Sequence, residues 1–236
     1  MGISHTPCCA GEEAITNGWS DHQVRELARR LEDFRQSCRV TTLAEEQETS
    51  RSAFRLLVAC VISLRTKDEV TAEASRRLFN IAETPERLAA IDVDRIATAI
   101  YPAGFYNTKA GQLREIGTII RDQYDGEVPP DEASLLAMPG VGRKTANLVL
   151  GLGFGIPAIC VDTHVHRLSN RLGMVATKTP EQTERALNRL LPQDLWIPIN
   201  DWLVTFGQNC CHPTSPKCSG CPLADMCPRV GVTRSR

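Results

Sequence analysis

The chain has 236 residues, 42% of them hydrophobic and 23% charged, a composition that suits a globular protein with enough apolar material for a real core. Its formal net charge is -1, so a polyanionic partner would have to meet a local basic patch within a near-neutral body. The longest strongly apolar run, Phe54 to Leu64, is far short of the roughly 18 residues that a bilayer span needs, so no membrane segment is expected.

Residues 1–50 hold five Arg, no Lys and nine acids, a net -4 that leaves +3 for the remainder. Residues 1–19 are polar and lack the cationic start and apolar stretch of a secretion signal, so they read as a flexible arm on a protein of a reducing, cytoplasmic compartment. Gly2 with Thr6 matches the form of a myristoylation site, but so short a pattern recurs by chance.

From there on, helix signals recur and sustained period-two alternation is missing. Thr66 with Glu69, and Thr179 with Gln182, have capping-box spacing. Proline stands at a first helical position after Thr84 and after Thr179, and Asp131 precedes another candidate helix. The expected fold class is all-α. Composition shows neither an internal repeat nor a low-complexity linker between lobes.

The stretch Met138 to Leu150 reads as two helices joined by the turn Pro139-Gly140-Val141-Gly142, with a second helix expected over 143–152. Amides of Gly140, Val141, Gly142 and Arg143 at such a turn and helix start can point at one phosphate, helped by the helix dipole. Lys144 follows immediately. A plain tight connection between packed helices would use the same residues, with Lys144 a solvated side chain.

Asp162 opens the next helical pattern, in which Val165, Leu168 and Leu172 recur at helical spacing. Aspartate is among the best N-caps, and the amides it accepts keep a carboxylate ionised, which suits stabilisation of a developing cation. His164 and His166 flank it two residues apart, a spacing that points them to different sides of a helix and away from shared metal ligation.

Four of the ten cysteines fall within the 17 residues from Cys211 to Cys227, spaced Cys211-x6-Cys218-x2-Cys221-x5-Cys227. Four thiolates in one loop hold zinc or an iron-sulfur cluster, and the spacing alone leaves both open.

The hairpin with its Lys-Thr-Ala, the Val-Asp-Thr-His segment from Val161 and the four-cysteine loop together resemble the endonuclease III family of base-excision DNA glycosylases, in the helix-hairpin-helix superfamily. Ser63 to Thr71, Gly104 to Ala110 and Asp125 to Pro129 also look like family landmarks, so the resemblance covers about residues 20–228. It implies a central helical lobe over 46–156, and a second lobe made of 20–45 and 157–228 with a 4Fe-4S cluster on Cys211, Cys218, Cys221 and Cys227. A tail over 229–236 follows.

The resemblance further implies double-stranded DNA with damaged bases or abasic sites as partner, a monomer, and oxidised pyrimidines as substrates. It makes Lys144 the nucleophile that forms a Schiff base and Asp162 the essential carboxylate. Partial burial and the helix dipole would favour the free amine that attack requires. Where the family often has a glutamine this chain has Arg65, whose charge and planar fork change what it offers the base opposite the lesion. Lys217, between cysteines, is a candidate phosphate contact, and Cys210 a spare thiol. Nearby alternatives are a pyrimidine-dimer glycosylase and a monofunctional mismatch glycosylase. An alternative of another class is a noncatalytic iron-sulfur DNA-binding module.

Overall fold

The structure, a computed structural model, describes residues 18–38 and 52–236. Most of the expected arm, with Gly2 and Thr6, and the expected boundary near residue 46 lie outside the described residues. Every regular element among the described residues is helical.

Helix α1 (Asp21–Gln36) opens with a capping box between Ser20 and Gln23, and buries Val24, Leu27, Ala28 and Leu31, one stripe at helical spacing. Helix α2 (Ala53–Ser63) is apolar nearly all round and is the buried centre of its half of the molecule. Around it stand α3 (Asp68–Phe79), α4 (Pro85–Ala90), α5 (Val93–Ile100) and the long α6 (Tyr106–Gln123), which packs along α4 and α5. The short α7 (Glu132–Leu136) leads through the glycine turn to α8 (Arg143–Leu148). After α9 (Thr163–Arg171) and α10 (Pro180–Leu190), α11 (Pro198–Asn209) packs against both α1 and α9.

Thr84, Asp131 and Thr179 each cap a helix as their spacing predicts, Thr179 in a complete capping box with Gln182. Two local expectations change. The helix expected over 143–152 is α-helical only to Leu148 and widens into a π-turn over Val149–Gly153, where Gly151 and Gly153 weaken the α-helical preference. Thr66 does not cap α3: Lys67 holds the cap position without a side-chain bond. The chain turns at Arg65, in the left-handed region at φ 53°, and this aims the Thr66 hydroxyl back toward the end of α2.

Among the described residues, the buried apolar side chains form two cores. One draws on α2 through α8 and the π-turn; the other draws on α1, α9, α10 and α11 together with Leu223 of the cysteine loop. The chain crosses between them through Ile159, Cys160 and Val161. This segment lies outside any helix, and its side chains alternate: Cys160 enters the first core, Ile159 and Val161 the second. Trp19 joins the second core and donates from Nε1 to Gly173 O at 3.2 Å. Thr179→Ala is expected to cost about 1 kcal/mol of stability by removing a cap, measured by urea unfolding of the cluster-loaded protein; no loss would mean that water replaces the hydroxyl.

Candidate active site

Where the two cores meet, a cleft of about 570 Å³ opens between α8, the π-turn and α11, and Lys144 and Asp162 both line it. Lys144 is the second residue of α8. Asp162 is the N-cap of α9, and its Oδ1 accepts the amides of His164 and Val165, each at 2.8 Å. The other oxygen, Oδ2, lies 4.0 Å from Lys144 Nζ. The lysine side chain is 48% exposed and the aspartate 12%, so the amine reaches into solvent from beside a mostly enclosed carboxylate.

Short-range sequence pattern puts each of the two on its helix, and the crossing segment brings them together. Buried Asn147, one turn beyond Lys144, donates from Nδ2 to Ile159 O at 2.9 Å. The Cys160 thiol contacts Lys144 O at 3.5 Å, and Asn200 Nδ2 donates to Cys160 O at 3.0 Å. The crossing segment is thus tied to α8 on one side and α11 on the other, immediately before Asp162. Burial pushes the Cys60 thiol up to about 12 and the Cys160 thiol up as well, so neither is a nucleophile at neutral pH. Buried Asn147 and half-buried Asn200 give no sequence signal, because a side-chain amide bonded to backbone has no periodic or spacing signature.

In the hairpin, Gly140 takes φ 77°, and a Cβ there would stand 2.7 Å from Gln112 Oε1. The Val141 side chain is buried and its amide donates to Met138 O at 3.2 Å, closing the turn on itself. Gly142 is the N-cap of α8 and offers no side-chain cap, so the first-turn amides have no acceptor from the cap residue. Arg143 does not extend freely from this turn. Its Nε donates to Glu184 Oε1 at 2.9 Å, and Nη1 pairs with Glu132 at 3.2 Å, so its guanidinium joins the hairpin to α10 of the second core.

The two histidines beside Asp162 are occupied as structural groups. His164 Nδ1 meets Arg167 at 3.1 Å, and burial lowers its affinity for a proton; His166 Nδ1 meets Thr183 Oγ1 at 2.6 Å. Arg65 and Lys217 are both exposed, the first on the loop between α2 and α3 and the second in the cysteine loop.

Cys211, Cys218, Cys221 and Cys227 line one pocket with Leu168 and Phe206, and Cys210 borders it too. Among the described residues no three His, Cys, Asp or Glu side chains converge on a single ion. Four thiols spread around one apolar pocket fit the larger body of an iron-sulfur cluster better than one tetrahedral ion. Arg171 Nη1 and the Leu223 amide lie 3.5 and 3.4 Å from Cys211 and Cys221 sulfur, donors of the kind that thiolate ligands accept.

A model of the HhH-GPD superfamily of base excision DNA repair proteins matches residues 58–193, and one of the iron-sulfur binding domain of endonuclease III matches residues 211–227. Endonuclease III of Thermotoga maritima is 50% identical over 174 residues, 74% of this chain and 82% of that one. A non-covalent endonuclease III–DNA complex superposes with TM-score 0.79 at 32% identity, covering 90% of this chain and 97% of that one. A trapped endonuclease III–DNA covalent intermediate gives 0.75 at 32%, covering 87% and 95%. Fold and site thus define a base excision repair DNA glycosylase of the helix-hairpin-helix class. The chain belongs to the endonuclease III family, with that family's 4Fe-4S cluster as cofactor.

Asn147→Ala is expected to cost about 1–3 kcal/mol by leaving Ile159 O without its buried donor, and to slow turnover more than it weakens binding to DNA. Wild-type turnover in a folded variant would show that the crossing segment needs no such tie.

Proposed function

We propose that the protein is a bifunctional DNA glycosylase and abasic-site lyase that removes oxidised pyrimidines from double-stranded DNA, acting as a monomer. The observation that carries this is the Lys144 amine 4.0 Å from the free oxygen of Asp162, inside a cleft beside the glycine hairpin. The covalent endonuclease III–DNA intermediate among the structural neighbours supports it.

The chemistry follows from the two groups. A damaged base leaves with the electron pair of its bond to C1′, and positive charge develops on the sugar, where the Asp162 carboxylate stabilises it. Both Asp162 amide bonds go to Oδ1, so Oδ2 remains to face that charge. The Lys144 amine, acting as free base, forms a bond to C1′; loss of its proton and opening of the sugar ring give the Schiff base. Removal of a C2′ proton then expels the 3′ phosphate by β-elimination. None of this is possible within the stack, so the nucleotide must be flipped into the cleft.

In this reading the amides of Gly140, Gly142 and Arg143 grip a backbone phosphate, with Val141 packing the turn from behind, and Lys217 adds a second contact. The Arg143 side chain braces the turn against Glu184. Cys211, Cys218, Cys221 and Cys227 hold the cluster, whose part is to fold the loop that presents Lys217. The two cores support a two-lobe organisation, with the chain crossing between them at 159–161.

The test is borohydride trapping on a duplex carrying one thymine glycol. A covalent protein–DNA adduct is expected from the wild type and none from Lys144→Ala, while Asp162→Asn slows base release by about 100-fold or more. No adduct on this lesion or on an abasic site, from protein with its full iron content, would overturn the lyase assignment.

A further inference from the structure

Lys109 lies in α6 and takes no part in the chemistry above. Only 4% of it is exposed, and no carboxylate among the described residues neutralises it. Its ammonium donates to Ile62 O and Leu64 O, each at 2.6 Å, and to Thr66 Oγ1 at 3.0 Å. The two carbonyls belong to the end of α2, where the helix leaves acceptors unpaired and its dipole favours a cation. Burial draws the ammonium down to about 8, so the group is kept there against a cost that an apolar side chain would not carry.

The position explains the expense. Leu64 and Thr66 flank Arg65, whose φ of 53° is unusual for a residue with a side chain. Thr66 Oγ1, besides meeting Lys109, accepts the amide of Gly104 at 3.1 Å. A Cβ on Gly104 would stand 2.4 Å from Arg65 O, so the two loops touch backbone to backbone and only glycine fits. The next residue, Phe105, is also left-handed at φ 57°, and its side chain is among the most exposed of the large apolar ones at 62%. The Arg65 guanidinium sits 5.5 Å from the centre of the Phe105 ring. Ser63 and Asp68, at either end of the Arg65 loop, line the cleft, so this pair stands on its rim.

We propose that Lys109 is a positioning residue that locks the 62–66 loop to the 104–105 loop, so that Arg65 and Phe105 form one preset unit that enters the duplex at the base opposite the flipped nucleotide. This rests on the glycosylase reading above. An exposed ring and a guanidinium already stacked are the groups that replace a lost base-stacking partner. Fixing them beforehand removes the ordering that would otherwise accompany insertion. Lys109 touches no DNA in this account; it acts through Arg65 and Thr66.

The test compares binding to two duplexes, one with a tetrahydrofuran abasic analogue opposite guanine and one with the analogue opposite a second analogue, so that no base faces it. Lys109→Met and Arg65→Ala should each weaken binding to the first about tenfold and to the second by less than about twofold. The double variant should lose no more than either alone. Thr66→Val, which removes only the bridging hydroxyl, should reproduce the pattern, and Thr66→Ser should restore wild-type binding. Iron content and thermal unfolding establish that each variant is folded.

Equal weakening on both duplexes would make Lys109 a structural residue only and overturn the proposal. So would losses that multiply in the double variant, or a Lys109→Met loss where Arg65→Ala has none. Borohydride trapping of the wild type on a plain abasic duplex runs alongside. Its failure would sink the lyase assignment, while the binding comparison would still decide the role of Lys109.

Discussion

The site depends on one short extended segment. Ile159, Cys160 and Val161 send side chains alternately into two cores, and Asp162 follows directly. Burial on both sides fixes the height and direction at which the chain arrives at α9. The bonds from Asn147 and Asn200 fix it against α8 and α11. The backbones that carry a carboxylate and an amine are thereby fixed against each other, and the two groups stand 4.0 Å apart at the wall of a cleft. The apolar packing that stabilises the fold and the placement of these two groups are here the same constraint.

Other parts of the molecule brace that seam. Arg143 and Glu184 tie the hairpin to α10. At the far end of α9 from Asp162, Arg171 donates to His212 O at 2.7 Å and approaches Cys211 sulfur, so the helix that carries the carboxylate also carries the cysteine loop. Folding of that loop around its cluster and placement of the carboxylate are therefore mechanically linked through a single helix of nine residues. On the other side of the cleft, Lys109 does comparable work for the loops at the rim.

Much of this was legible in the sequence, and the reason is locality. Caps at Thr84, Asp131, Asp162 and Thr179 and the glycine turn are decided within four residues, and the cysteine spacing within one loop of 17. The reading failed where a partner far along the chain outbid the local one. Thr66 had the spacing of a helix cap, but Lys109 and Gly104, about 40 residues away, take its hydroxyl. The Arg143 side chain likewise finds its partner far along the chain, at Glu184. Lys109 falls within the landmark stretch Gly104 to Ala110, but nothing in its neighbours announces that the end of a buried helix lies above it.

The account makes Lys144 and Asp162 partners on one sugar, and the structure of the borohydride-trapped adduct tests this most directly. It predicts a bond from Lys144 Nζ to C1′, with Asp162 still accepting the His164 and Val165 amides through one oxygen and facing the sugar with the other. A bond from any other residue, or an Asp162 turned away from the sugar, would contradict it.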